Sequence, residues 1–274
     1  MARDALEDLE LRLLLEGIYQ RYGYDFREYA RSSIRRRVWR RVAEENLQTI
    51  SGLQERILHE PACMDRLLLD LSVSVTSMFR DPGFFLALRQ KVVPILRTYP
   101  FIRVWNAGCA TGEETLSLAI LLHEEGLGDR VRIYATDINK DVVDRARRGV
   151  FPLERMRDYT SNYISSGGRT AFSDYYKAVG EVAHFDPDLI ENVVFAQHNL
   201  VSDADFNEFH LVVCRNVMIY FDRPLQDKVV GLMHRSLTRF GVLALGQKES
   251  LRFSTYAGDF EELDAREKIY RRLS

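Results

Sequence analysis

Two glycines and two adjacent glutamates stand in one short segment, "VWNAGCATGEET" (residues 104–115). Glycine loops of this kind usually hold phosphate, with the help of a following lysine or of a third glycine. Here Glu113 and Glu114 come directly after Gly112, and Gly108 and Gly112 form only a G-x-x-x-G pair. Carboxylates at this position would repel a phosphate chain. The loop therefore predicts a cationic ligand and disfavours NAD.

A further acidic residue, Asp137, ends the apolar run "RVRIYATD" (130–137). At the end of a strand, an acidic side chain can accept hydrogen bonds from both ribose hydroxyls of a nucleoside. S-adenosylmethionine (SAM) contains a ribose, a sulfonium and an ammonium but no phosphate, and Gly108 would let the backbone approach it closely. These residues predict a SAM-dependent methyltransferase. Two simpler explanations stay open: the glutamates could only stabilise a helix N-terminus, and Asp137 could only cap the following helix.

The elements that position these residues alternate between strand and helix from residue 101 onward. Apolar runs such as "FIRVWNAG" and "FHLVVCRN" predict buried strands, while "ETLSLAILLHEE" and residues 224–239 predict helices. A last strand is expected in "REKIYRRLS". The alternation predicts an α/β fold with a doubly wound, mostly parallel, Rossmann-like sheet over residues 101–274.

The rest of the chain has a different pattern. Residues 1–80 show helical spacing and predict an N-terminal all-helical domain, with an extended stretch at 72–77. Residues 81–100 predict a linker helix that is capped by Asp81 and bent at Pro94. Residues 151–190 lack a helix-length periodicity, which predicts a small antiparallel β insertion at about 158–190; a long loop is the alternative.

Composition limits the possible functions. The 274 residues carry a net charge of −2, which argues against a protein that coats nucleic acid. Hydrophobic residues make up 46% of the chain and predict a sizeable core. The three cysteines have neither CxxC nor metal-ligand spacing, so we expect free thiols, no metal and a cytoplasmic location. No apolar run approaches the ~18 residues that span a bilayer.

Five motifs in matching order, "VTSMFRD", "WNAGCATGEE", "YATDIN", "QHNL" and "CRNVMIYFD", resemble the CheR-type chemotaxis receptor methyltransferases. The resemblance covers nearly the whole chain. It implies SAM as the methyl donor, S-adenosylhomocysteine as the product, and glutamate side chains on the cytoplasmic helical bundle of bacterial chemoreceptors as the methyl acceptors.

The resemblance also implies roles for individual residues. Glu113 would hold the methionine end of SAM and Asp137 its ribose. Asn199 and Leu200 would lie on the adenine side, and Arg215 and Asn216 would complete the site.

Thr76 and Arg80 would close over the cofactor from the helical domain. Arg80 and Tyr220 match the pair that the family places beside the transferable methyl group. Ser74 stands where many members have asparagine, and we expect it to be a weak cofactor contact.

The residues alone are consistent with this chemistry. A glutamate carboxylate, with a reference pKa near 4.3, is already ionised at neutral pH, so methyl transfer to it needs no general base. Of the six histidines, only His198 lies in a motif, and a packing role is the simpler interpretation for it. Such a reaction needs a cation and a hydrogen-bond donor that orient the incoming carboxylate, and Arg80 and Tyr220 have those properties.

Seven arginines between positions 27 and 41 surround the apolar stripe of Ile34, Val38 and Val42. Either this face is only solvated, or it docks an acidic partner through Arg31, Arg35, Arg36 and Arg40.

A nucleic-acid methyltransferase would also fit the charge, but the chain lacks an NPPY-like motif. A degenerate SAM-binding scaffold is a third hypothesis, which the intact Arg80 and Tyr220 pair disfavours. We expect a monomer that binds no nucleic acid and does not insert into membranes. Capture of a receptor tail by the β insertion is left open.

Overall fold

The computed structural model of the chain describes residues 2–71 and 76–273. Most of the extended stretch that we predicted at 72–77 lies outside the described residues, and so does the candidate cofactor contact Ser74. The helices are α1 (Ala2–Tyr22), α2 (Arg31–Glu44), α3 (Ile50–His59), α4 (Pro61–Leu71), α5 (Pro82–Ala87), α6 (Val93–Leu96), α7 (Glu113–Glu124), α8 (Lys140–Ala146), α9 (Met156–Ser165) and α10 (Arg223–Ser236). The strands are β1 (Ile102–Ala107), β2 (Val131–Asp137), β3 (Val150–Pro152), β4 (Tyr176–Val179), β5 (Val182–Phe185), β6 (Val193–Gln197), β7 (Phe209–Cys214), β8 (Leu237–Leu245), β9 (Phe260–Asp264) and β10 (Ile269–Arg272).

Helices α1 to α4 pack around their own apolar core. The predicted stripe of α2, Ile34, Val38 and Val42, is buried in it. Two arginines of α2 are buried as well: Arg41 pairs with Asp70 at 2.6 Å, and Arg37 donates to the carbonyl of Leu71. The arginine-rich helix is therefore only partly a solvated face.

The helical linker differs in detail from our prediction. Asp81 does precede α5, but it has a φ of 58° and its side chain makes no capping bond. Its carboxylate accepts from Arg215 instead, at 2.7 Å. A π-helical turn at Leu88–Val92 precedes α6, and the distortion coincides with Pro94, which has no N–H to donate.

A seven-stranded sheet, in the order β6-β2-β1-β7-β8-β10-β9, forms the second part of the chain. Strands β6, β2, β1, β7 and β8 are parallel, and β10 is antiparallel to both β8 and β9. The chain winds outward from β1 through β2 to β6 and then returns to the other side of β1 with β7. Parallel sheets of this kind bind ligands at that reversal, beyond the carboxyl ends of the strands. The predicted α/β fold is confirmed.

Two boundaries in the sheet domain were predicted wrongly. The predicted helix 224–239 ends at Ser236, and β8 starts at Leu237, opposite Phe209. Leu237 continues the apolar spacing of Val230 and Met233, so the helical pattern runs past the true end. Strand β9 was not predicted.

The insertion contains a helix that the sequence pattern did not predict, α9, next to a three-stranded antiparallel sheet in the order β3-β5-β4. Arg89 attaches this region by donating to the backbone oxygen of Ser166 at 3.2 Å, while it also pairs with Glu124 and Glu125 at the end of α7. Tyr163 of α9 also donates to Glu124. The domain boundaries at residues 80, 100, 158 and 190 stay predictions.

Within the described residues, no helix is both long and apolar enough to cross a membrane.

Candidate active site

A cavity lies at the reversal point of the sheet, beyond the carboxyl ends of β1, β2 and β7, and the helical domain covers one side of it. It brings together nine residues that the sequence predicted for the site. They are Thr76, Arg80, Gly108, Asp137, Asn199, Leu200, Arg215, Asn216 and Tyr220.

The glycine loop after β1 needs glycine at both predicted positions. Gly108 has a φ of 76°, and a Cβ atom there would lie 2.4 Å from Cγ2 of Val217. Gly112 has a φ of 96°, and a Cβ atom there would lie 2.9 Å from Cβ of Ala146. Both values fall in the left-handed region, which side chains rarely adopt. The glycines thus let the loop turn sharply beside the cavity and pack on α8.

Asp137 ends β2 at the cavity wall. Its Oδ2 accepts from the backbone amide of Ala110 at 3.1 Å, and its Oδ1 accepts from that of Asn139 at 3.0 Å. Burial raises the pKa of this carboxyl, and the backbone hydrogen bonds from Asn139 and Ala110 oppose that shift. Each oxygen keeps a second lone pair, so the carboxylate can still accept from a ligand hydroxyl.

The two loop glutamates point in different directions, and the role that we assigned to Glu113 stays a prediction. Glu113 does not line the cavity; it accepts from Thr111 at 2.5 Å and from Tyr159 at 3.2 Å. Burial raises its pKa. Glu114 does line the cavity, and its carboxylate pairs with Arg215 at 2.7 Å and accepts from the side-chain amide of Asn106 at 2.8 Å. Helix α7 begins directly after Gly112, which has a left-handed backbone conformation. This start directs the side chain of Glu113 toward α9.

Arg215 bridges the loop and the linker. Its guanidinium pairs with Glu114 and with Asp81, each at 2.7 Å, and also donates to the backbone oxygen of Arg80 at 3.3 Å. It stacks on the ring of Phe84, 4.0 Å from the centroid, and the whole residue is only 5% exposed. Arg215 therefore fixes the segment that carries Arg80 against the sheet.

Tyr220 is held from the helical domain. The backbone amide of Ala30 donates to the Tyr220 carbonyl at 2.9 Å. The guanidinium of Arg37 lies 4.5 Å from the centre of the Tyr220 ring. Because Arg80 and Tyr220 line the same cavity, the structure brings together the two residues to which we assigned a role in catalysis.

The wall at Asn199 and Leu200 is shaped by local hydrogen bonds. Oδ1 of Asn199 accepts from the backbone amide of Val201 at 3.0 Å, while the backbone amide of Asn199 donates to Oδ2 of Asp203 at 2.8 Å. Next to it, Nε2 of His198 lies 3.2 Å from the carbonyl oxygen of Ala204. This turn places the apolar side chain of Leu200 next to the amide side chain of Asn199 on the cavity wall.

Sequence reasoning missed Tyr29, which lines the cavity beside Phe221. Their rings lie 4.8 Å apart and their backbones form an isolated antiparallel bridge. Tyr29 lies outside the motifs, and it reaches the cavity only through this long-range contact. Glu114, in contrast, stands within the quoted loop and could have been found there.

The arginines that we assigned to docking are exposed, but two of them already have acidic partners. Arg35 pairs with Glu7 at 2.5 Å, and Arg40 pairs with Glu44 at 2.8 Å. Within the described part of the chain, Arg31 and Arg36 have no ion pair within 4.0 Å.

The cavity has the hydrogen-bond acceptors and the apolar wall that SAM requires. Carboxylates of Asp137 and Glu114 can face the ribose and the cationic groups, and the wall at Leu200 and Ile138 can accept the adenine ring. The glycine loop allows close backbone approach at Gly108. The residues present therefore fit SAM.

Two family descriptions match the chain. "CheR methyltransferase, SAM binding domain" matches residues 74–269, and "CheR methyltransferase, all-alpha domain" matches residues 9–72. Together they cover both parts of the fold.

Similar proteins occur in several bacteria. A candidate methyltransferase, Cher3, of Pseudomonas putida is 50% identical over 99% of this chain and 100% of its own length. An uncharacterized 104.1 kDa protein of Rhodobacter capsulatus is 30% identical over 98% of this chain, which spans 28% of that longer protein. A chemotaxis protein methyltransferase of Listeria monocytogenes is 28% identical over 84% of this chain and 85% of its own length.

Proposed function

Because the chain belongs to the CheR methyltransferase family and is a SAM-dependent methyltransferase, we propose that it esterifies glutamate side chains of a bacterial chemoreceptor. The observation that carries the proposal is the convergence of Asp137, Arg80 and Tyr220 on one cavity at the reversal point of the sheet. This geometry supports a reaction that depends on orienting SAM and the acceptor glutamate relative to each other.

We assign the cofactor contacts as follows. Asp137 would accept hydrogen bonds from the ribose, and Glu114, in place of Glu113, would face the cationic end. Asn199 and Leu200 would bound the adenine. Thr76, Gly108, Arg215 and Asn216 would complete the wall, and when bound, SAM supplies an electrophilic methyl group.

The protein's own part in the chemistry is to place the acceptor. A glutamate carboxylate entering the cavity mouth would be attracted by the guanidinium of Arg80 and oriented by the hydroxyl of Tyr220. No proton has to be removed from it, since it is ionised at neutral pH. Restricting its approach can contribute several kcal/mol to lowering the barrier. Arg37 helps to hold the Tyr220 ring where the acceptor would arrive.

The acceptor side chain belongs, in this proposal, to the helical bundle in the cytoplasmic part of the receptor. The exposed arginines of α2, Arg31, Arg35, Arg36 and Arg40, would attract its acidic surface. Helix α2 also carries Arg37, which contacts Tyr220, so a bundle docked on α2 would lie beside the cavity mouth. The enzyme would act in the cytoplasm as a monomer.

The test is transfer of tritiated methyl from SAM to purified cytoplasmic fragments of the receptors of the source bacterium. Glutamate methyl esters release methanol in mild alkali, whereas methylated amines do not. We expect labelled protein whose radioactivity becomes volatile after alkali treatment. Alkali-stable label, or no labelled fragment in the complete panel, would contradict the proposal.

A further inference from the structure

A second cationic surface lies on the other side of the turn that carries Tyr220. Val217 and Tyr220 line the active-site cavity, whereas Met218 and Ile219, between them, line a separate surface groove. Arg223, Lys248 and Phe253 form part of the outer wall of this groove. One 3₁₀ turn, Met218–Tyr220, thus separates the cavity from the groove.

The groove presents an exposed aromatic ring between cations. Phe253 is 69% exposed, a large exposure for an apolar side chain at the edge of an active site. The guanidinium of Arg223 lies 4.8 Å from its ring centroid, and that of Arg252 lies 5.7 Å from it. Aromatic and arginine side chains are the types enriched at the energetic centres of protein interfaces. We call Arg223, Lys248, Arg252 and Phe253 the groove patch.

The cations of the groove patch differ from two of the exposed arginines of α2. Within residues 2–71 and 76–273, Arg223, Lys248 and Arg252 have no carboxylate within 4.0 Å, whereas Arg35 and Arg40 are paired. Two acidic residues also line the groove: Asp227 accepts from Ser254 and Thr255, and Glu249 is buried beneath the turn. The three exposed cations outnumber the one half-buried carboxylate of Asp227. The positive charge of the groove patch is therefore available to a partner.

We propose that the groove patch is a second docking surface for the acidic helical bundle of the receptor, on the opposite side of Tyr220 from α2. This rests on the proposed function. A bundle that presents a glutamate beside Tyr220 would lie next to the turn that separates the cavity from the groove patch, and exposed cations stand on both sides of this turn. Charge complementarity, together with a position only one turn away from Tyr220, favours the receptor substrate itself as the occupant.

The test compares two matched surface pairs. Variants Arg223→Glu, Arg252→Glu and Phe253→Ala alter the groove patch. Variants Arg239→Glu and Phe240→Ala alter an equivalent exposed pair, in which the guanidinium lies 4.9 Å from the ring. That control pair lies near the beginning of β8, whereas the cavity lies at the carboxyl ends of the strands. Arg223→Glu should not disturb α10, because an acidic residue is favourable in a first helical turn.

The substrate is the receptor fragment that wild-type enzyme methylates in the assay above. We expect each groove-patch variant to raise KM for this fragment about tenfold at low salt, with little change in kcat. Affinity for S-adenosylhomocysteine should be unchanged. The increase in KM for the two arginine variants should shrink at high ionic strength because salt screens exposed charges. The control variants should behave as wild type.

The outcomes separate the two proposals. If wild-type enzyme methylates a fragment and the groove-patch variants match the controls, the docking surface is overturned and the proposed function stands. If no fragment is methylated by wild-type enzyme, both proposals fall. A lower affinity for S-adenosylhomocysteine in the variants would contradict docking, since it would show that the cavity itself was disturbed.

Discussion

The buried carboxylate of Glu249 accepts a hydrogen bond of 3.0 Å from the backbone amide of Asn216, a residue held at a φ of 61°. The same carboxylate accepts from the amides of Val217, Ile219 and Gly246. One side chain thus fixes the turn between the candidate cofactor contact Asn216 and Tyr220. Burial raises the pKa of Glu249, and the backbone hydrogen bonds oppose that shift.

Replacing Glu249 by glutamine should lower kcat. The NH₂ group of the glutamine side chain cannot accept hydrogen bonds, so the backbone amides that point at one of the two carboxylate oxygens would lose their acceptor. We expect a loss of about tenfold or more, since small displacements of positioning groups are costly. Binding stoichiometry for S-adenosylhomocysteine, measured by calorimetry, should stay near one site per chain. That readout separates loss of positioning from loss of folded protein.

Glu267→Gln is the matched control for Glu249, because Glu267 is also a buried glutamate, but its carboxylate accepts from the side chain of Gln247 and not from the turn that carries Tyr220. It should retain wild-type kcat. Equal activity of the two variants would contradict the positioning role of Glu249.

Replacing Arg215 by alanine should destabilise the protein. It would leave Glu114 and Asp81 without their shared cation in a site that is largely closed to solvent. Breaking such a buried pair costs about 3 kcal/mol. Thermal unfolding should show a clear drop in Tm, while Arg235→Ala, which removes an exposed pair with Asp205, should change it little. An unchanged Tm for Arg215→Ala would be inconsistent with a bridging role.

Arg80→Ala and Tyr220→Phe should lose methyl transfer while the fold is retained. The expected loss is about 100-fold or more for Arg80, because the cation that attracts the acceptor is removed. Single-turnover transfer to the receptor fragment measures the step. Arg132→Ala, at an exposed position on β2, is the control. Near wild-type rates in Arg80→Ala would remove its assigned role.

Affinity for S-adenosylhomocysteine should fall as pH is lowered from neutrality. Burial holds the pKa of Asp137 above its usual value near 3.8, and ribose hydroxyls donate to the ionised form. Protonation therefore competes with the ligand, and the loss begins at a higher pH than for an ordinary aspartate. Calorimetry across pH should show this slope in wild type and in Glu113→Gln, but not in Asp137→Asn. A slope of equal size in Asp137→Asn would assign the titration to another group.

The sequence was informative where the site is built from local segments. Asp137 and the glycine loop each follow a strand directly, so the carboxyl ends of β1 and β2 had to bring them together. Local patterns therefore predicted Gly108 and Asp137, whereas the other seven of the nine predicted wall residues were assigned from the resemblance of the motifs to the family.

Other features depend on geometry that no local pattern encodes. Which of Glu113 and Glu114 faces the cavity depends on how α7 leaves the left-handed Gly112. Tyr29 reaches the cavity only because its strand-like bridge to Phe221 joins two distant parts of the chain. Arg37 is buried because it contacts both the Leu71 carbonyl and the Tyr220 ring. Leu71 belongs to the predicted helical domain and Tyr220 to the predicted sheet domain.

Calorimetric titration with S-adenosylhomocysteine tests the central claim most directly, because the claim places SAM in the cavity with its ribose on Asp137. Wild-type protein and Asp144→Asn, an exposed control on α8, should bind at one site with similar affinity. Asp137→Ala should bind about 100-fold more weakly, since it loses hydrogen bonds to a charged acceptor. Wild-type affinity in Asp137→Ala, or no binding to the wild-type protein, would contradict this account.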